Sequence, residues 1–199
     1  MRALVGLLLV AGLSAAPALA QDAAKTLRIY YIDTEGGQAT LFVAPSGESL
    51  LVDAGNPGGR DTDRIMLALE DAGVKQIDHL VLTHYHGDHA GGLPELAKRV
   101  TIKRFYDHGP VAEGDRAGGQ GFQELYPQIY ANAVRTVVKP GDRLTIAGLD
   151  ITFVSSAGQV LKTSLPGAGR PNPACSGFAE KDLSKVFDPD NAHSVGFVL

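Results

Sequence analysis

The stretch Thr83-His84-Tyr85-His86-Gly87-Asp88-His89-Ala90-Gly91-Gly92 gathers four metal-binding side chains, His84, His86, Asp88 and His89, and holds half of the chain's six histidines. His84 and His86 are two positions apart. In an extended segment alternate side chains point the same way, so both imidazoles can reach one ion. Asp88 and His89 follow at a turn into a helix, where Gly87 lets the backbone bend and aim them at a neighbouring position. Imidazole nitrogen and carboxylate oxygen without thiolate suit zinc, with iron or manganese as alternatives. A bound Zn²⁺ lowers the pKa of its water to ≈ 7 and so makes a nucleophile at neutral pH. The competing reading is an exposed polar turn holding histidines by chance, which this density of ligands disfavours.

The elements that must position these residues read as an α/β chain. Thr26–Ile32, Gln38–Ala44 and Ser49–Asp53 are strand signals joined by short turns, which predicts an antiparallel start to a sheet. Asp53-Ala54-Gly55 closes the third strand. On its own, an acid beside glycine there is no more than a turn former. Asp61 reads as a helix N-cap, Ile65, Leu69 and Ala72 keep helical spacing, and Gly73 is the expected stop. Ile77–Thr83 is the next strand and delivers the chain into the histidines, at the kind of strand end where α/β folds collect ligands.

Leu93–Arg99 reads as a short helix with Pro94 in its first turn, and Val100–Tyr106 as a strand ending at Asp107-His108-Gly109. Pro110–Gly121 reads as a glycine-rich loop. Phe122, Leu125, Tyr126, Ile129, Tyr130 and Ala133 form a helical stripe of core residues that Pro127 should break or kink. Arg135–Val138, Arg143–Ile146 and Asp150–Val154 are three further strands, and the pattern then fades until Ser194–Leu199. His108 is either an additional ligand from a strand end or a loop histidine packed on Tyr106. His193, in an Asp/Asn-rich turn, reads as exposed, and His79, inside a strand, as structural.

Composition narrows the function classes. The 199 residues carry 18 Lys plus Arg against 22 Asp plus Glu, a net charge of −4. With no basic run, broad attraction to nucleic acid is not supported. Arg2, the apolar Ala3–Leu13 and Ala18-Leu19-Ala20 have the form of a cleaved secretory signal over residues 1–20. Ala3–Leu13 is too short for a bilayer span of about 20 residues. Export to a periplasm or the medium is expected, with no membrane anchor after cleavage. Residues 21–199 are long enough for one domain. Cys175, the only cysteine, allows no internal disulfide; it reads as an incidental loop thiol ahead of a metal ligand or an intermolecular bridge. The apolar Ser194-Val195-Gly196-Phe197-Val198-Leu199 at the end reads as a strand cut short, as in a truncated frame or fragment.

Thr83–Gly92 resembles the second motif of the metallo-β-lactamase superfamily, and Leu51-Val52-Asp53-Ala54-Gly55 resembles its first. Tyr31-Ile32-Asp33-Thr34-Glu35-Gly36-Gly37-Gln38-Ala39-Thr40 and Asn191-Ala192-His193-Ser194-Val195-Gly196-Phe197-Val198-Leu199 are similar to the lactamase-like domain of competence DNA-uptake proteins. The resemblance implies an αββα sandwich with its second half incomplete and one or two zinc ions at the edge of two facing sheets. His84 and His86 would hold the first metal, and Asp88 and His89 the second. Asp53 becomes a supporting carboxylate that orients ligands, and Asp88 a catalytic residue that helps position the attacking hydroxide.

The sequence also departs from the family. Gly141–Val154 matches the hairpin before a third histidine, but Ser155-Ser156-Ala157-Gly158 follows instead. The bridging aspartate and last histidine would lie beyond Leu199. The expected function is an exported metal-dependent hydrolase acting on a small-molecule ester or a phosphodiester. The rival, from another class, is a truncated non-catalytic protein with a partial metal site. β-Lactam hydrolysis and a nucleic-acid-binding module rank lower, the latter because of the acidic balance.

Overall fold

A computed structural model describes residues 26–112, 119–170, 172–177 and 189–199. Residues 1–20, expected to be a signal peptide, and residues 113–118 of the expected Pro110–Gly121 loop lie outside the described residues, as does the side chain of Cys175.

Strands β1 (Arg28–Tyr31), β2 (Thr40–Val43), β3 (Ser49–Val52), β4 (His79–Val81), β5 (Arg104–Asp107) and β6 (Val134–Val137) form one sheet in that order. The first three pair antiparallel, as the sequence predicts, β2 and β3 through a tight turn but β1 and β2 through the longer stretch of residues 32–39. From β3 onward the pairing is parallel. Helix α1 (Arg60–Ala72) separates β3 from β4, and α3 (Leu93–Arg99) separates β4 from β5. A parallel pair requires such a crossover.

Alternation along the central strands explains why they are apolar throughout. Leu41, Leu51, Leu80 and Phe105 face α1, α3 and α4 (Gly119–Ile129), packing on Ile65, Leu69, Leu93, Leu96 and Tyr126. Leu50, Val52, Val81 and Tyr106 point to the other face and meet Leu144, Ile146, Ile151 and Phe153. Those belong to a second sheet of β7 (Arg143–Ile146), β8 (Leu149–Ser156) and β10 (Gly196–Val198), with the two-residue β9 (Gln159–Val160) on β8. A sheet buried on both faces loses the polar-apolar alternation of a half-exposed one. The architecture is a mixed α/β one: a helical layer, a large sheet and a small antiparallel sheet. Among the described residues, the helices packed in a core all lie on the large sheet's first face. The outer helical layer of an αββα sandwich is therefore not among them.

Three local expectations are corrected. Asp61 does not cap α1: the N-cap is Gly59 and makes no side-chain hydrogen bond. The Asp61 carboxylate instead accepts from the Asn56 backbone N–H (2.7 Å) and from Arg60 Nε (2.7 Å), shaping the loop ahead of the helix. Pro127 does not break α4, which ends two residues later at Ile129, so the proline disturbs only the closing turn. The strand expected from Val100 is regular only from Arg104, preceded by a bridge between Ile77 and Ile102. Gly73, the expected stop of α1, is left-handed and donates back to the Glu70 carbonyl.

Candidate metal centre

The histidine stretch leaves the end of β4 and passes into the one-turn helix α2 (Gly87–Ala90). It is stitched to its surroundings by backbone hydrogen bonds. Ala54 N–H donates to the His89 carbonyl (2.7 Å), Gln38 N–H to the Asp88 carbonyl (3.1 Å), and Gly92 N–H to the Gly55 carbonyl (3.0 Å). Asp53-Ala54-Gly55, the start of β2 and the histidine turn thus form one mesh. Gly92 is needed because a Cβ there would overlap the Ala54 carbonyl oxygen, and Gly37 because one would overlap the Asp88 carbonyl oxygen. Both obstacles are backbone and cannot rotate aside. Gly92→Ala is expected to lower stability by about 1–3 kcal/mol, in the range of overpacking substitutions. Chemical denaturation measures it, and an unchanged midpoint would show that the mesh yields.

Asp53 organises the turn. It is buried, with φ at 58°, in the left-handed region that Asp tolerates better than most residues. Its Oδ1 accepts from Thr83 N–H (2.7 Å), and its Oδ2 accepts from the Thr83 hydroxyl (2.7 Å) and lies 2.7 Å from His89 Nδ1. A carboxylate can only accept, so His89 Nδ1 must carry the proton and Nε2 faces outward. Thr83 Oγ1, having given its hydrogen to Asp53, can accept from His84 Nδ1 at 3.1 Å. That leaves His84 Nε2 as the lone-pair nitrogen, and among the described residues it is buried with no hydrogen-bond partner. One carboxylate sets both tautomers, that of His89 directly and that of His84 through the Thr83 hydroxyl.

For His84 the electrostatics agree with this assignment. Burial, then the neighbouring His89 and His86, push His84 down to about 4, so it is neutral at pH 7. Burial also opposes the charged form of His89, but the Asp53 hydrogen bond and charge outweigh it, and His89 titrates above its ordinary value. Burial pushes the Asp53 carboxyl up against the hydrogen bonds it accepts.

The structure brings the expected residues together. Ring centroids are 4.6 Å apart for His84 and His86 and 4.0 Å for His84 and His89. The Asp88 side chain is 44 % exposed, with Oδ2 3.7 Å from His89 Nε2, at the mouth of the group. Three imidazoles and an open carboxylate fit a divalent ion of the zinc type, and the buried, unpartnered His84 Nε2 is the specific sign of that fit.

The chain belongs to the metallo-beta-lactamase superfamily. The superfamily model matches residues 33–170, which include Asp53 and the whole histidine stretch. An atrochrysone carboxyl ACP thioesterase of Aspergillus terreus is 39% identical over 62 residues, 31% of this chain and 19% of that protein. A metal-dependent hydrolase of Staphylococcus saprophyticus is 36% identical over 63 residues, 32% of this chain and 25% of that protein. The matched part thus spans a quarter or less of these two relatives' length. Among solved structures, the native FEZ-1 metallo-beta-lactamase from Legionella gormanii aligns at TM-score 0.48 and 21% identity, over 66% of this chain and 51% of that one.

Other histidines fall differently from expectation. His108 does not join the His84–His89 group and does not pack on Tyr106. It is buried against the Tyr85 ring (centroids 4.7 Å) beside Asp190, with Nε2 3.5 Å from Asp190 Oδ1. Tyr106 instead places its hydroxyl 3.1 Å from Nδ1 of the buried His79. His193 is half-buried rather than exposed. A Cβ added to Gly158 would stand 3.2 Å from its ring, so His193 reaches the end of β8, where the metallo-beta-lactamase resemblance calls for a histidine. The serines there are engaged elsewhere: Ser155 donates to the Ser194 carbonyl (3.1 Å) and Ser156 to the Val138 carbonyl (2.7 Å).

Asp190 and Asp107 are the residues that sequence reasoning missed. Asp190 Oδ2 accepts from Tyr85 N–H (2.9 Å) and Oδ1 from Ala112 N–H (2.8 Å). Burial would raise its pKa, but His108 and these N–H donors outweigh it and bring it down to about 2. Asp107 is buried and receives two hydrogen bonds from Arg135 (2.7 and 2.8 Å), one from the Tyr126 hydroxyl (3.0 Å) and one from Gly109 N–H (2.8 Å). This cluster fixes the end of β5 and therefore His108.

Proposed function

We propose that this chain is a metal-dependent hydrolase of ester-class bonds, thioesters included, that works after export. The observation that carries the reading is the Asp53–Thr83 relay, which leaves His84 Nε2 and His89 Nε2 as the ligand nitrogens. His84, His86, Asp88 and His89 would hold the ion or ions, zinc being the best fit to these donors. When bound, such an ion lowers the pKa of water and polarises the bond under attack. The protein's own part is orientation. Asp53 and Thr83 fix the imidazoles, and the solvent-facing Asp88 accepts a hydrogen bond from the attacking water and aims it.

The thioesterase and metal-dependent hydrolase among the relatives support hydrolysis as the reaction class. The likeness of Tyr31–Thr40 and Asn191–Leu199 to competence-type domains keeps phosphodiesters among the substrates to test. The segments Arg2, Ala3–Leu13 and Ala18-Leu19-Ala20 support export.

A non-catalytic reading has one observation in its favour. Among the described residues, the His84–His89 ligands do not form a trio with ligand atoms within 4.8 Å of one another; one other group does. Zinc-loaded protein should be assayed on p-nitrophenyl acetate, an acyl-cysteamine thioester and bis-p-nitrophenyl phosphate, with and without chelator. Chelator-sensitive turnover, highest on the ester or thioester, is the expected result. Folded, zinc-loaded protein inert on all three would favour the non-catalytic reading.

A further inference from the structure

His108, Asp190 and His193 come from the end of β5, from the one-turn helix α5 (Pro189–Ala192) and from the residue after it. Each offers one ligand atom, and the three atoms lie within 4.8 Å of one another. None of the three lies in the histidine stretch.

His108 is 2 % exposed, yet among the described residues neither ring nitrogen has a hydrogen-bond partner. The 3.5 Å approach of its Nε2 to Asp190 Oδ1 does not make one. A neutral imidazole carries one donor and one acceptor, and buried polar groups are nearly always satisfied. His108 departs from that rule at both nitrogens, with the Asp190 carboxylate as a charged neighbour of Nε2. Asp190 is 0 % exposed, and each of its oxygens accepts one backbone N–H. A carboxylate has about four lone-pair positions, so each oxygen keeps capacity for a cation.

His193 is held in place from both sides. Its carbonyl accepts from Ala157 N–H (2.9 Å), and the Ser194 carbonyl accepts from the Ser155 hydroxyl (3.1 Å). Gly158, at φ 71°, leaves the space its ring occupies. The His108 and His193 rings stand edge to face at 6.0 Å, an arrangement in which two imidazoles can address one point.

We infer that His108, Asp190 and His193 form a metal site of their own, taking a zinc-type divalent cation through two imidazoles and one carboxylate. Zinc accepts three such protein ligands and leaves a fourth position open, whereas calcium and magnesium call for oxygen ligands. Bonds of ~2.0–2.1 Å place tetrahedral ligand atoms ~3.4 Å apart, so a captured ion would draw the trio closer. Tyr85 links the two groups: its N–H binds Asp190, its ring packs on His108, and it lies between His84 and His86 in the chain. The trio is thus a neighbour of the His84–His89 group along one sheet edge, and it does not depend on that group holding metal.

The test uses the full chain, stripped of metal, reloaded with zinc, dialysed and measured by elemental analysis. The variants are His193→Gln, His108→Gln, the triple His84→Ala/His86→Ala/His89→Ala, and the triple combined with His193→Gln. The triple is expected to retain one zinc equivalent, and adding His193→Gln to remove it. In the native background His193→Gln should also lose one equivalent while the melting temperature of the metal-free chain stays unchanged. If the triple fails to fold, this comparison decides by itself. A folded triple without zinc, or a His193→Gln chain with undiminished zinc, would overturn the site in favour of a structural His–Asp contact. If instead the wild type and the triple hold the same zinc, the His84–His89 assignment fails and the trio stands.

Discussion

Replacing His86 and His89 together by alanine should remove at least one equivalent of divalent metal and abolish metal-dependent hydrolysis. His86 and His84 stand with ring centroids 4.6 Å apart, and His89 and His84 4.0 Å apart, so the double variant leaves His84 alone with Asp88. Two ligands do not hold zinc tightly. Loss of an outer-shell partner already costs 10–100-fold in affinity or activity, so losing two direct ligands should cost at least ~100-fold. The substitutions also take one of its three hydrogen bonds from the buried Asp53 carboxylate, the 2.7 Å contact with His89 Nδ1. Circular dichroism must therefore show that the variant is folded. Elemental analysis then measures the loss, and undiminished metal in a folded double variant would refute the assignment. The ion expected at His108, Asp190 and His193 remains, so the reading is a difference from wild type and not an approach to zero.

The largest effect on stability is expected from Arg135→Leu. Arg135 makes a two-point hydrogen bond to the fully buried Asp107 carboxylate and lies over the rings of Tyr126 and Tyr130, at 5.4 and 5.1 Å. Hydrogen bonding to Asp107 comes first among the causes that raise Arg135 above its ordinary value, against the burial that opposes it. Removing one partner of a buried pair costs about 3–5 kcal/mol, because the remaining charge is left unpaired. For a domain of this size that is a fall in Tm on the order of 10 °C. Adding Asp107→Asn should recover part of the loss, since a neutral amide needs no counter-charge. A single variant within about 1 kcal/mol of wild type by urea denaturation would contradict a charged, desolvated pair. Arg135→Leu should also loosen the end of β5 and weaken zinc retention at His108.

How much of this is legible in the sequence depends on the range of the contacts. The His84–His89 stretch lies inside one strand end and one turn, so the alternation of side chains shows which residues converge. The antiparallel start, the stop of α1 at Gly73 and the core stripe of α4 are likewise local. Asp61 has the propensity of a cap, but its carboxylate bonds to Asn56, a tertiary choice that propensity does not register. Pro127 has less effect than its type suggests, because that effect depends on where α4 ends. The role of Asp53 is visible only through the family resemblance. Its own neighbours predict a turn, and its hydrogen bonds cross 30 and 36 positions to Thr83 and His89.

The trio lies at the other extreme. Asp190 reaches Tyr85 across 105 positions and Ala112 across 78, and no periodicity records a contact of that span. By itself the sequence determined that metal-binding side-chain types cluster at the His84–His89 turn, and the mixed α/β class, because residue type and strand periodicity are properties of neighbouring residues. Only the tertiary structure decided which imidazole nitrogens at the turn are hydrogen-bonded inward, what holds His108, and that His193 turns inward beside Asp190. Those outcomes depend on hydrogen bonds and packing between segments that meet only when the two sheets close over the same core.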